Sequence, residues 1–292
     1  MPTDINRATT NVILDPEVSG EIWAKTIEES AFMQLARKIS IPGPGVKVQT
    51  IAGEPTADWV DETNLKPIST HSFDKKVITP YKLAVIEPFS EEFRRDKKGL
   101  YEECKNRLPY ALSRKFDETI MGTTAPGTGF DVLGGASTTS IKPAGNVTVY
   151  DKFVAVDAAI SAADGIMDGI ALAPQGKSIV IGAVDNVGHP VFTAGVGSGT
   201  VGNILGAPVA VKKGVYKAGT PAIVGIAGDF SNAVYGTVEG IKMSISDQAT
   251  LVDGDKVIPL FQSNMFAVRF EIEVAFAVKD VNQYMLLTNA TE

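Results

Sequence analysis

The residues able to do chemistry are few and scattered. Gly176, Lys177 and Ser178 in "APQGKS" form the second half of a phosphate-binding loop. That loop needs a glycine five residues before Gly176, and Ala171 stands there. The segment "SIVIGAV" also reads as a strand placed after the motif, where a phosphate loop needs one before it. The glycine-rich "MGTTAPGTGFDVLGGASTTS" lacks the lysine and follows a helical pattern. "LVDGDKV" has too few oxygen ligands for a calcium loop and reads as a hairpin turning at Asp253 and Gly254. His71 and His189 are far apart, without the close spacing of a local zinc motif. Cys104 is the single cysteine, which excludes an intramolecular disulfide and a thiolate cluster, and it falls on an apolar helical stripe. No set of groups converges on a reaction, so the expectation is a protein that is not an enzyme and has no cofactor or metal.

What must be positioned instead is a polar finger. "GEPTADWVDETNLKPISTHSFDKK", residues 53–76, carries five acids, three lysines and two aromatics between two strand-like runs. Val46, Val48 and Thr50 alternate before it, and "KVITPYKLAVIEPF" resumes strand character after it, interrupted at Pro80. The two flanks read as legs of a long β-ribbon. Such a ribbon is marginal alone in water, so Trp59 either folds back onto its own subunit or docks on a partner, the plainer alternative being a surface loop with one chance aromatic.

The remaining elements are long. In "DPEVSGEIWAKTIEESAFMQLARKI", apolar residues recur at intervals of three and four, with Asp15 as cap and Pro16 in the first turn. "SEEFRRDKK" reads as a short helix capped by Ser90. In "GLYEECKNRLPYALSRKFDETIM", residues from Leu100 to Ile120 form one apolar side, with Ala111 and Cys104 on it. Charged residues including Arg114, Lys115 and Asp117 cover the rest. Pro109 removes one internal hydrogen bond and should bend this rod of roughly 30 Å. A region of short strands and many glycines follows a helix over "YDKFVAVDAAISAAD". The chain closes on "FAVRFEIEVAFAV", where apolar residues alternate from Phe266 to Val278. A strand so long needs an equally long neighbour, and the Pro109-containing helix is the candidate.

Bulk properties agree with a tile more than with a pocket. The chain has 292 residues, 44% hydrophobic, with 28 glycines and 16 prolines, enough for a core in two parts. A net charge of −7 argues against a protein whose main affinity comes from phosphate contacts. No secretory signal or transmembrane run is visible, so no membrane partner is expected.

In order and spacing, "PEVSGEIWAKTIEESAFMQLARKI", "GEPTADWVDETNLKPIS", "KLAVIEPFSEEFRRD", "LGAPVAVKKGV", "GDFSNAVYG" and "VRFEIEVAFAVKDVNQYMLLT" resemble the major capsid proteins of tailed bacteriophages, with the HK97-type shell fold. The resemblance covers nearly the whole chain. It implies an α+β fold with an N-terminal arm and first helix over 1–38 and an extended loop with flanking strands over 39–89. A peripheral domain with the spine helix would begin over 90–149, an axial domain would occupy 150–256, and closing strands of the peripheral domain 257–292. It further implies a structural protein that assembles as hexamers and pentamers into an icosahedral shell enclosing double-stranded viral DNA, contacted non-specifically. The virion capsid would be its location, after assembly in the host cytoplasm. A portal protein would be a partner, with a scaffolding protein and a decoration protein as further candidates. Because the arm pattern begins near Asp15, either a separate scaffolding protein or none is expected.

By the same resemblance Trp59, Glu62 and Lys66 lie at the contact between subunits. Arg94 and Arg95 are acceptors for acidic loops, a solvated helix start being the other account of those two. Some members join a loop lysine to an asparagine; Lys66, Lys75 or Lys76 would supply the lysine and Asn264 the asparagine. A nanocompartment shell of the encapsulin type, of the same fold but enclosing enzymes, is the alternative function.

Overall fold

The computed structural model describes residues 30–52, 57–60, 66, 68, 72–96, 98–143, 147–184, 202–254 and 256–290. A short helix, α1 (Ala31–Leu35), leads into β1 (Arg37–Ser40). The strands β2 (Val46–Ala52) and β3 (Ser72–Ile78) form the ribbon, and β4 (Tyr81–Ser90) follows the interruption at Pro80. Next come α2 (Glu91–Asp96), the long α3 (Lys98–Ile120), β5 (Ser137–Ser140) and α4 (Val149–Ala162). Then β6 (Gly169–Leu172), α5 (Pro174–Ile181), β7 (Asn203–Ile204), β8 (Ala207–Val211) and β9 (Ile223–Gly228) build the glycine-rich part. The chain ends with β10 (Ala233–Thr237), β11 (Lys242–Ser246), the hairpin β12 (Thr250–Asp253) and β13 (Lys256–Pro259), the long β14 (Met265–Val278), and β15 (Tyr284–Thr288). The fold is α+β, as expected.

Two sheets organise it. In the first, β14 is the axis: β4 pairs with it antiparallel from Met265 to Val274, β11 from Ala267 to Glu271 and β10 from Val274 to Val278, with β1 parallel to β10. The second has the order β5-β15-β9-β6-β8-β7. Both cut across the segments 150–256 and 257–292, because β10 and β11 return to β14 while β15 pairs with β9.

At about 3.3 Å per residue β14 spans roughly 46 Å, and α3 does lie against it. Phe266, Val268, Phe270 and Ile272 pack with Tyr101, Leu108 and Leu112 of α3. Further along, Phe276 meets Phe116, Phe130 and Phe32 at ring distances of 6.3, 6.4 and 5.7 Å, joining α1, α3 and the 121–136 segment in one core. A separate cluster holds α4 through Phe153, Val156 and Ile160 onto the second sheet. Thr148 caps α4 in a reciprocal capping box with Asp151.

Three local expectations are corrected. The first helix does not run through Ile39: Arg37–Ser40 is strand, because hydrogen bonding to β10 outweighs the continuing helical pattern. "SIVIGAV" is not a strand. It belongs largely to α5, which Pro174 opens as a first-turn residue directly after the buried strand β6. Strand thus does precede "PQGKS", yet Ala171 is buried inside that strand and only Ala173 separates it from the helix, so no phosphate loop exists. On α3, Ala111 is exposed and Asp117 is fully buried. The buried face comprises two adjacent rows, Leu108, Leu112, Phe116, Ile120 and Pro109, Ser113, Asp117.

Candidate assembly interface

The ribbon is fixed at its base. Ile78 is buried with Ile41, Ala275 and Ala277 against β14. The Lys76 ammonium lies 2.5 Å from the Asp131 carboxylate and also donates to the Val278 carbonyl, while Asp131 accepts from the Val278 N–H at 2.9 Å. Gly45 (φ +87°) and Gly129 (φ +82°) allow the backbone to pass here: a Cβ on the first would stand 2.6 Å from the Ile78 carbonyl oxygen, on the second 2.6 Å from Thr79 Oγ1. Seven paired residues, Val46↔Ile78 to Ala52↔Ser72, then carry the chain outward.

At the far end no described residue covers the apolar side chains. Trp59 is 101% exposed and Ile68 92%. Asp58 accepts the Trp59 backbone N–H at 3.0 Å, and the indole stands in solvent. Lys66 is exposed too. Glu62 and His71 lie outside the described residues, as do His189 and the arm and helix pattern before Ser30. Folding back onto the same subunit, one of the fates open to Trp59, is not what this structure shows.

Arg94 and Arg95 come together in α2 at a cleft shared with Glu91, Tyr101 and Glu102. Each is already paired: Arg94 with Glu91 at 2.6 Å, its guanidinium 4.8 Å from the Phe266 ring centroid, and Arg95 with Asp96 at 2.9 Å. The Asp96 hydrogen bond and charge raise the pKa of Arg95 and are matched by a lowered one for Asp96. Ser90 caps α2 by accepting from the Phe93 N–H. Asn264 donates to Glu92 at 2.8 Å, which lowers the carboxyl pKa of that residue. Of the crosslinking candidates, Lys76 and Asn264 therefore hold partners within the subunit, and Cys104 is half-buried beside the α3–β14 core.

Asp117 was not among the expected site residues. Its carboxylate accepts from Ser30 Oγ at 2.7 Å and from the Ala31 N–H at 2.9 Å, so it holds the start of α1 on the spine helix. Burial pushes its pKa up to about 7, against the opposing pull of these donors. The available signal was the row Pro109, Ser113, Asp117 at helical spacing beside the apolar stripe.

Among the described residues no cluster of His, Cys, Asp or Glu could hold a metal ion, and no helix is long and apolar enough to cross a membrane. A ribbon fixed at its base, exposed apolar residues beyond it and a long helix packed on a long strand suit a subunit that meets others. The family model of the phage capsid family matches residues 10–289. This chain belongs to the phage capsid family. It is 30% identical to the probable major capsid protein of Mycobacterium phage D29, over 94% of this chain and 90% of that one. To its counterpart in Mycobacterium phage L5 it is 31% identical, over 96% and 90%. Among solved structures, a chain from Mycobacterium phage Adephagia superimposes with a TM-score of 0.73 at 19% identity, covering 90% of this chain and 91% of that one. One from Gordonia phage Cozz does so with 0.73 at 20%, covering 90% and 87%. The fold is thus of the HK97 type. As a phage capsid family member, the chain is a structural protein and not an enzyme.

Proposed function

We infer that this chain is the major capsid protein of a tailed bacteriophage, self-assembling as hexamers and pentamers into an icosahedral shell around double-stranded DNA. Within the subunit, one observation carries the reading: a ribbon anchored at Lys76 and Ile78 holds a wholly solvated Trp59 at its end. A buried indole is favoured over a solvated one, so a neighbouring copy is the cover that this side chain calls for. In that arrangement Trp59, Glu62 and Lys66 lie on the next subunit. Arg94 and Arg95 receive acidic groups by exchanging solvent-screened pairs for intersubunit ones. The peripheral domain is then built on α3 and β14 and the axial domain on the six-stranded sheet. The virion is its location, after assembly in the host cytoplasm. A portal protein would occupy one vertex, with scaffolding and decoration proteins as further partners.

The nanocompartment alternative finds no support, since the named relatives are phage capsid proteins. Electron microscopy of the purified protein tests the reading: closed shells or capsomers are expected, and a dispersed monomer at high concentration would contradict it. Excising residues 55–70 should leave a subunit with unchanged circular dichroism that no longer assembles.

A further inference from the structure

The net charge of −7 hides a local excess of the opposite sign. Between α3 and the turn that follows β8 runs a groove of about 610 Å³, lined by Tyr110, Arg114, Lys212 and Lys213 among others, with no acidic residue in its lining. Its floor is a close approach of two backbones. A Cβ added to Gly214 would stand 2.8 Å from the Asp117 Cβ and 3.1 Å from the Arg114 carbonyl oxygen, so only glycine lets the turn seat against the helix. Lys213 and Arg114 are exposed on the two sides of that seam, and Lys115 is exposed beside Arg114. Glu118 at 2.8 Å offsets Arg114, and Asp117 lies buried beneath the floor. Arg107, also exposed, precedes Arg114 by two helical turns, about 10 Å along the same face. This distance corresponds to roughly three nucleotide steps of a duplex strand at 3.4 Å each.

We propose that this groove is a contact site for the phosphate backbone of double-stranded nucleic acid, with Arg114, Lys212 and Lys213 as the cations that meet phosphates. The inference rests on the shell reading for the identity of the polyanion and adds where on the subunit it is touched. Three cations on a chain of net charge −7 make a weak, sequence-independent contact that salt dissolves readily. A shell that must fill and empty is served by such a contact better than by a tight one.

The test uses the full-length chain kept as unassembled subunits and a fluorescent DNA duplex, followed by anisotropy across salt. About 0.9 of logarithmic slope per phosphate contact gives a slope near −2.7 for three contacts, or a roughly 40-fold loss of affinity between 50 and 200 mM salt. In the double variant Arg114→Gln/Lys213→Gln the slope should fall to about −0.9 and the loss to roughly 3.5-fold. Lys256→Gln, on the β12–β13 hairpin and not among the groove's lining residues, should leave the slope unchanged. No binding by the parent chain, or an unaltered slope in the double variant, overturns the proposal. So does tighter binding of a labelled acidic peptide than of the duplex, which would assign the groove to a protein partner. Shell formation, read separately by microscopy in the same variants, reports on the shell reading alone.

Discussion

Replacing Trp59 by alanine should separate assembly from folding. In the free subunit the side chain is 101% exposed, so its removal takes away no packing. The melting temperature of unassembled protein should stay within a degree or two. In an assembled ring each subunit gives one finger and receives one, so a single indole is lost per subunit. A tryptophan buries 150–250 Å², which at about 25 cal/mol per Å² is a gross about 4–6 kcal/mol. Truncations of central interface aromatics cost about 2–4 kcal/mol once the ordering of the free partner is counted. Taking about 2 kcal/mol, the concentration at which assembly begins should rise roughly 30-fold. Light scattering over a dilution series reads that midpoint, and calorimetry of the dilute subunit reads stability. Unchanged assembly, or a clearly lowered melting temperature, would refute the reasoning, the second by showing that Trp59 packs within its own subunit.

Other expectations concern the subunit itself. The Asp117 carboxyl, at about 7 when folded, keeps a proton that the unfolded chain releases near the ordinary aspartate value of 3.8. Stability of unassembled subunits should therefore fall as pH rises between those values, by about 4 kcal/mol in all. Asp117→Asn should flatten that slope in thermal melts, and an unchanged slope would place the titration elsewhere. Phe276→Ala removes the ring that Phe32, Phe116 and Phe130 share and should cost about 3–5 kcal/mol in denaturant titration. Gly228→Ala would put a Cβ 2.3 Å from the ring of Tyr284, whose hydroxyl donates to the Asp229 carbonyl, and should cost about 1–3 kcal/mol by the same assay. Thr148→Ala should cost about 1 kcal/mol through loss of the capping box on α4.

How far the residues announced this architecture depended on how local the signal was. The alternation of β14 and the period of α3 are written in the residues that make them, and each element lies within a residue or two of expectation. The first ribbon leg was readable from its alternation, but the second, Ser72–Ile78, lies mostly inside the segment read as polar finger, and most of "KVITPYKLAVIEPF" is β4, which pairs with β14. The run Ile179, Val180, Ile181 misleads, since β-branched residues favour strand and only Pro174 beside the buried β6 commits the segment to helix. Arg37–Ser40 misleads for the opposite reason: a nonlocal partner, β10, decides its state. Pairing of β10 and β11 with β14 leaves no trace in their own sequences. Asp117 looked like one more surface charge because helical spacing shows neighbours on a face, not what covers that face. Of the interface candidates, Trp59 and Lys66 stand exposed on the finger, and Arg94 with Arg95 share a cleft, each holding an acid of its own helix.

The most direct test follows the Trp59 fluorescence in a Trp23→Phe variant, where it is the sole indole. Emission from dilute subunits should have the red-shifted maximum of a solvated indole, moving to shorter wavelength with protection from quenchers as particles form. Emission already blue-shifted in the free subunit, or still red-shifted in completed particles, would contradict a finger that finds its cover on an adjacent copy.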